Sequence, residues 1–376
     1  MRIGILADKF VDWHGGVDFL LLLIESLRGQ PVEVFVFIPT KKINIISIAK
    51  DLIKRRQSKS TIINYLIDEL SNNEKYYFYS NDSELQSLLK KHKVSILLPV
   101  FDPTKKFAVP SIGYIYDLQH KYKPDWFSSE DIENRDRHFQ LALDAHENII
   151  VNSEAVIIDV CKFYGSQYEK KLYALPFSTR AAKYQAAPSK TEGNYFVVAN
   201  QFWRHKDHLC AIKAFIDMEQ QLPNESINLI LTGKIEDYRG HSHIKEIQKL
   251  IVDKPSISTP GFIDSADLSD LVRNAKLLIQ PTLFEGGRGG GAVGVALSNG
   301  TPCVISDIPV NLELKGTYGV SFFRAHDHED LSRILLQTYK ENYNRKKIQE
   351  HSRQSVSNLG EYLVNLCKAV ISNDIS

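Results

Sequence analysis

Leu277-Leu278-Ile279-Gln280-Pro281-Thr282-Leu283-Phe284-Glu285-Gly286-Gly287-Arg288-Gly289-Gly290-Gly291 passes from an apolar strand pattern, through a glycine-dense bend, into a helical pattern reaching Leu297. Five of the six residues that follow Glu285 are glycine. Ordering a glycine costs more backbone entropy than ordering any other residue, so packing alone explains such a run poorly. A backbone loop wrapping a phosphate or a sugar explains it better; a flexible surface loop is the alternative. Glu285 falls at the strand's carboxyl end, where a carboxylate accepts hydrogen bonds from sugar hydroxyls. Arg288 offers either a charged fork or a solvated side chain.

On both sides of this bend, short β-branched runs alternate with amphipathic helical patterns. Strand patterns cover 2–7, 32–38, 76–79, 94–100, 111–116, 148–151 and 172–177, then 195–199, 227–232, 277–281, 302–306 and 320–323. Helical spacing appears at 17–27, 83–91, 154–163, 207–218, 243–252, 265–274, 291–297 and from 329 to about 371. Such alternation implies crossover helices over mainly parallel sheets. The Ala-, Ser-, Thr- and Lys-rich stretch from Ser178 to Gly193 breaks it and reads as a linker. The expected architecture is α/β, with two doubly wound Rossmann-like domains facing a cleft. Their bounds are 1–178 and 194–350, joined by 179–193, with a C-terminal helix at 351–376 crossing back to the first domain.

Lys and Arg number 46 against 45 Asp and Glu, a net charge of +1 that gives nucleic acid no general electrostatic handle. The four cysteines are far apart and form no ligand cluster, which fits a reducing compartment and no structural zinc. No run approaches the ~20 apolar residues of a membrane span, and the first residues lack a signal-peptide pattern. A cytoplasmic chain is expected.

Three further groups lie at strand ends. His14-Gly15-Gly16 precedes a helix, where free N–H groups favour phosphate; a tight turn is the other reading. Asn200-Gln201-Phe202-Trp203-Arg204-His205-Lys206 places Lys206 in the cleft beside a helix start, able to neutralise a leaving diphosphate. Tyr116-Asp117-Leu118-Gln119-His120 sets Asp117 and His120 on the opposite wall. The P-loop, GxSxG, HExxH and EF-hand patterns are missing, which argues against the chemistries they carry.

Together these residues resemble the retaining GT-B glycosyltransferases of family 4, over nearly the whole chain. The stretch 277–286 with Gly300-Thr301-Pro302 is the most specific match. Asp117-Leu118, Pro124 to Ser128, Asn152-Ser153-Glu154, Leu175-Pro176 and Gly261-Phe262-Ile263 also look like the family's pattern. The resemblance implies hexosyl transfer from a nucleotide diphosphate sugar, GDP-mannose or a UDP-sugar, to a glycan hydroxyl. It implies retained configuration and no metal or other cofactor. Glu285, His120, Asp117 and Lys206 would be catalytic. Gly15, Gly16, Asn200, Arg204, Gly233, Phe262, Gly286, Gly287, Arg288, Gly289 and Gly290 would bind substrate. Three features depart from the family: Val295 where a ribose-binding carboxylate is usual, Asn200 for an arginine, and Tyr116 for a histidine that His120 would replace.

Residues 41–59 interleave Lys41, Lys42, Lys50, Lys54, Arg55, Arg56 and Lys59 with Ile45, Ile48, Leu52 and Ile53. This is an interfacial helix drawn to an anionic inner leaflet, or a core-facing helix with a solvated basic face. In the first case the acceptor is a lipid-linked oligosaccharide of a bacterial surface polysaccharide, O-antigen or capsule. Two other functions share the pattern: a nucleotide-sugar epimerase or phosphorylase of the same shape, and a degenerate sugar-binding subunit.

Overall fold

The computed structural model describes residues 1–40, 62–70, 74–180, 193–237, 240 and 242–374. The basic segment 41–59 and most of the 179–193 stretch lie outside them.

Two parallel sheets dominate. The first has seven strands, β1 Arg2–Leu6, β2 Glu33–Pro39, β3 Lys75–Tyr79, β4 Ile96–Val100, β5 Ser111–Ile115, β6 Ile149–Val151 and β7 Leu172–Ala174, in the order β3-β2-β1-β4-β5-β6-β7. The second has six, β8 Tyr195–Ala199, β9 Asn228–Thr232, β10 Ile257–Gly261, β11 Leu277–Gln280, β12 Cys303–Ser306 and β13 Val320–Phe323, in the order β10-β9-β8-β11-β12-β13. Central strands such as Ile96-Leu97-Leu98-Pro99-Val100 and Leu277-Leu278-Ile279-Gln280 are buried throughout, because helices cover both faces of a doubly wound sheet. In each sheet the strand order reverses once, between β1 and β4 and between β8 and β11. Those two reversals open the crevices where ligands bind in such sheets.

Helix starts carry their signals in the sequence. Asn81, Ser128, Ser153, Asp264 and Asp327 each accept a hydrogen bond from a backbone N–H in the first turn of the helix that follows. Helix Ser129–Ala145 has no counterpart in the sequence reading, since only Phe139, Ala142 and Leu143 on it are buried. Strand β10 is likewise additional. It is an edge strand of alternating exposure whose register with β9 shifts between Ser258 and Gly261, and Pro260 suits only such an edge.

Helix Arg345–Asp374 joins the two halves. Ile348 packs in the second domain beside Leu297 and Leu314, whereas Leu359, Leu363, Val364, Cys367 and Val370 enter the first domain's core with Leu20, Leu23 and Leu27. Each such buried aliphatic side chain contributes about 1.5–3 kcal/mol. Before it, Arg180 pairs with Asp18, Glu25 and Glu69, each at 2.8 Å, and Thr179 is hydrogen-bonded to Ser352.

Five histidines, His92, His120, His138, His146 and His208, titrate below the usual histidine range because burial disfavours the imidazolium. His146 is held down to about 4 and His208 to about 3. The unfolded chain takes up these protons near pH 6.5, while the folded chain stays neutral until lower pH. Their contribution to stability is therefore complete above about 6.5 and lost as pH falls toward the folded values. Melting temperature should fall steadily between pH 7 and 5 in scanning calorimetry. A flat profile over that window would refute proton uptake on unfolding.

Candidate functional site

The reversal between β8 and β11 builds one wall of the cleft. After β8 the chain makes a tight turn at Arg204–Lys206, and after β11 it enters the glycine-dense bend. These two loops are stitched together by backbone: the Leu283 N–H donates to the His205 carbonyl at 2.7 Å, and Thr282 Oγ1 donates to the same oxygen at 3.3 Å. Lys206 Nζ consequently meets Glu285 Oε1 in an ion pair whose side chains are each only 12% exposed. Asp207, next in the chain, takes a left-handed conformation (φ 44°), and its Oδ2 shares a 2.6 Å hydrogen bond with His326 Nδ1.

Glu285 has further support. Gln280 Nε2 donates to Glu285 Oε1 and to the Gly289 carbonyl, both at 3.1 Å, and Gln280 Oε1 accepts from Asn200 Nδ2 at 2.5 Å. Gly289 and Gly290 both have left-handed backbones, with φ near 68° and 62°, at the start of helix Gly290–Ser298. A Cβ on Gly290 would lie 3.0 Å from the Glu285 carboxyl. The carboxylate thus rests on a helix N-terminus, a placement the helix dipole favours by about 0.3–1 kcal/mol. Buried Asn311 holds the bend from behind: it accepts the Gly289 N–H at 2.9 Å and donates to the Ser306 carbonyl at 2.9 Å.

The first domain supplies the facing wall. Asp117 follows β5, accepts the Gln119 N–H at 3.0 Å and lies 3.8 Å from Arg135. Burial raises its carboxyl above the usual range; the Gln119 N–H, Arg135 and His120 act against that, and the nearby Glu285 carboxylate adds to it. A Cβ at Gly286 would come within 2.6 Å of both Asp117 Cβ and the Tyr116 carbonyl oxygen.

A polar seam closes the domains around the bend. Ser153 Oγ donates to the Gly286 carbonyl at 3.2 Å, and Arg288 Nη1 donates to the carbonyls of Asn152 and Leu175 at 3.1 and 2.7 Å. Glu313 pairs with Arg288 at 2.5 Å and accepts the N–H groups of Glu154 and Ala155 at 3.2 and 2.8 Å. A carboxylate of the second domain therefore caps a first-domain helix, Glu154–Tyr164.

With this geometry in place, comparison with known proteins is informative. Residues 180–355 match the family model of glycosyl transferases group 1. The whole fold of the chain is that of GT-B glycosyltransferase structures. A glycosyltransferase from Rickettsia africae superposes with a TM-score of 0.64 at 14% identity, over 99% of either chain. Anabaena HepE in complex with UDP and glucose gives 0.67 at 14% identity, over 98% of this chain and 100% of that one. Sucrose-phosphate synthase from Thermosynechococcus elongatus gives 0.66 at 14% identity, over 99% and 100%. No curated protein matches the sequence significantly.

Within the matched region 180–355, the structure brings Lys206, Glu285, Asn200 and Gly286 to Gly290 together. Gly233 follows β9, pressed so close to Asn200 that a Cβ there would fall 2.1 Å from the Asn200 carbonyl oxygen. Phe262, 64% exposed, follows β10. Arg204 has an exposed side chain, and its backbone N–H donates to Asp237 at 2.8 Å. Across the cleft, Gly15 and Gly16 form the first turn of helix His14–Leu27, with the Trp13 ring packed against them.

Two expectations need correcting. His120 does not face the cleft: its side chain is 0% exposed, hydrogen-bonded through Nε2 to Asp136 at 2.9 Å and packed near Phe127 and Phe139. It closes no gap left by Tyr116. Arg288 is not a free fork for phosphate, because the seam occupies its guanidinium. Val295, half-buried, packs with the apolar cluster beneath the bend. Gln280, Asn311, Glu313 and Arg135 went unread. Gln280 had a signal in the sequence, an amide inside an otherwise apolar strand. The other three are placed by tertiary contact alone. Among the described residues, no three His, Cys, Asp or Glu side chains group as a metal set.

Removing the Glu313 carboxylate should loosen the seam, since a hydrogen bond to a charged group contributes about 1.5–3 kcal/mol. Glu313→Ala is expected to lower the melting temperature by several degrees and to raise the radius of gyration in X-ray scattering. Unchanged values of both would show that the cap does not hold the domains together.

Proposed function

We propose that the protein is a retaining hexosyltransferase that moves a sugar from a nucleotide diphosphate sugar to a hydroxyl of a glycan acceptor. The buried Lys206–Glu285 pair at the sheet's reversal point, beside a glycine bend that opens a helix, carries this reading. A diphosphate entering the crevice competes for the Lys206 ammonium, which then neutralises charge as the nucleotide departs. Glu285, freed from that pairing but still held by Gln280, accepts hydrogen bonds from the donor sugar. The acceptor hydroxyl attacks the anomeric carbon on the face from which the diphosphate leaves. The sugar–phosphate bond breaks, and a departing phosphate oxygen takes the hydroxyl proton. Asp117, on the facing wall, contacts the substrates from the acceptor side.

Charge on the diphosphate is met by Lys206 and by helix N-termini, with no metal assigned a step. The Anabaena relative carries UDP and glucose, which places UDP-sugars first among donors to test, ahead of GDP-mannose. The acceptor belongs to bacterial surface polysaccharide, and the work is done at the cytoplasmic side of the inner membrane. Among the described residues, no helix is long and apolar enough to cross a membrane.

Lys206→Ala should reduce transfer by about 10²-fold or more and weaken nucleotide binding. Glu285→Gln should tighten nucleotide binding, because the carboxylate that competes for Lys206 is gone, while turnover falls by a similar factor. Nucleotide release from a donor panel, with product configuration read by NMR, checks both. Wild-type rates in the two variants would overturn the assignment.

A further inference from the structure

Residues at helical spacing from Ile348 form one face of helix Arg345–Asp374, and that face changes character part-way along. Ile348 is buried in the second domain, and Leu359, Leu363 and Val364 are buried in the first. Between these apolar anchors the same face carries His351, Ser352, Ser355 and Asn358. The polar stretch packs on no core. It lines a cavity of about 430 Å³, a size within the ~300–1,000 Å³ usual for small-molecule sites.

The cavity is separate from the donor cleft. Leu297, in its wall, stands at the end of helix Gly290–Ser298 opposite to the end that carries the Glu285 carboxylate. Buried Leu297 and Ile348, with Phe177, give the cavity an apolar part. The loop Lys315 to Tyr318, which leads into β13 and begins two residues past Glu313, supplies another wall.

Its charge is of one sign. Among the described residues that line it none is Asp or Glu, whereas Lys315 and His351 are basic. Lys315 is exposed and has no ion-pair or hydrogen-bond partner among the described residues. On the helix, Lys346, Lys347 and Arg353 outnumber Glu350, so the local field favours an anion. Hydroxyl recognition is also at hand. Gln354 Nε2 donates to Asn358 Oδ1 at 2.9 Å, which leaves Gln354 Oε1 as an acceptor and Asn358 Nδ2 as a donor. The Tyr318 and His351 rings stand at 78° to each other, and Lys347 sits 4.3 Å over Tyr318. Those rings offer no parallel pair to sandwich a nucleotide base.

We propose that this cavity binds a sugar phosphate, its phosphate on Lys315 and His351 and its hydroxyls against Gln354, Ser355 and Asn358. The apolar part formed by Phe177, Leu297 and Ile348 takes the C–H face of the sugar ring. The proposal does not rest on the sugar-transfer reading, since it uses none of the residues given a part in that chemistry.

Calorimetry on the full chain tests it, with glucose 6-phosphate, mannose 6-phosphate, glucose and inorganic phosphate as probes, each with and without saturating UDP. At least one of the sugar phosphates should bind about tenfold or more tighter than either glucose or phosphate, and should stay bound in UDP. Lys315→Ala should weaken that binding about tenfold or more, because a charge-assisted hydrogen bond is lost. Lys346→Ala, which removes an exposed charge outside the lining, should leave it unchanged. No sugar phosphate binding, equal binding of phosphate or glucose, displacement by UDP, or equal responses of the two lysine variants would each overturn the site. UDP bound without any sugar phosphate removes this site alone, and sugar phosphate bound without UDP or GDP removes the transferase reading alone.

Discussion

A Cβ at Gly286 would lie 2.6 Å from both the Tyr116 carbonyl oxygen and Asp117 Cβ, so the two domains touch there backbone to backbone. The rest of the cleft is arranged around that approach. It sets Glu285 beside the first domain, where its carboxylate adds to the rise that burial already causes in Asp117, and the neighbouring Arg288 reaches across the interface. The glycines of the bend thus divide their labour. Gly289 and Gly290 supply left-handed backbone at the helix start, and Gly286 supplies absence of bulk.

Charge is handled in pairs throughout. Lys206 answers Glu285, and Arg288 answers Glu313, with all four side chains largely sheltered. A half-buried charge that loses its partner costs several times what an exposed one does, so each pair is stable only as a pair. The two behave differently toward a ligand. Glu313 has two backbone N–H groups besides Arg288 and stays satisfied whatever enters the cleft. Lys206 has Glu285, and an anion can take its place.

The alternation of strands and helices was legible because buried parallel strands are continuous apolar runs and their crossovers have helical spacing. Among the described residues, twelve of the thirteen strands were read from that pattern; β10 escaped because an edge strand containing Pro260 has only one face to bury. Lys206, Glu285 and the glycines were legible from position, at strand ends facing a crevice. His120 misled because residue type and proximity to a strand end do not fix direction: three residues past Asp117, on a short helical turn, its ring points into the packing of Phe139. The seam was illegible for the converse reason. Ser153 and Glu313 are ordinary surface residues in sequence, Arg288 was read toward the substrate, and only the meeting of two folded domains gives the three their partners.

Helix Arg345–Asp374 has a mechanical consequence. The helix spans both halves, and the Thr179–Ser352 hydrogen bond ties the chain that leaves the first sheet to its flank. That attachment defines an axle. The lobes swing about it only once the seam of Ser153, Arg288 and Glu313 lets go, and any breathing of the cleft is then widest at the edge farthest from residue 179.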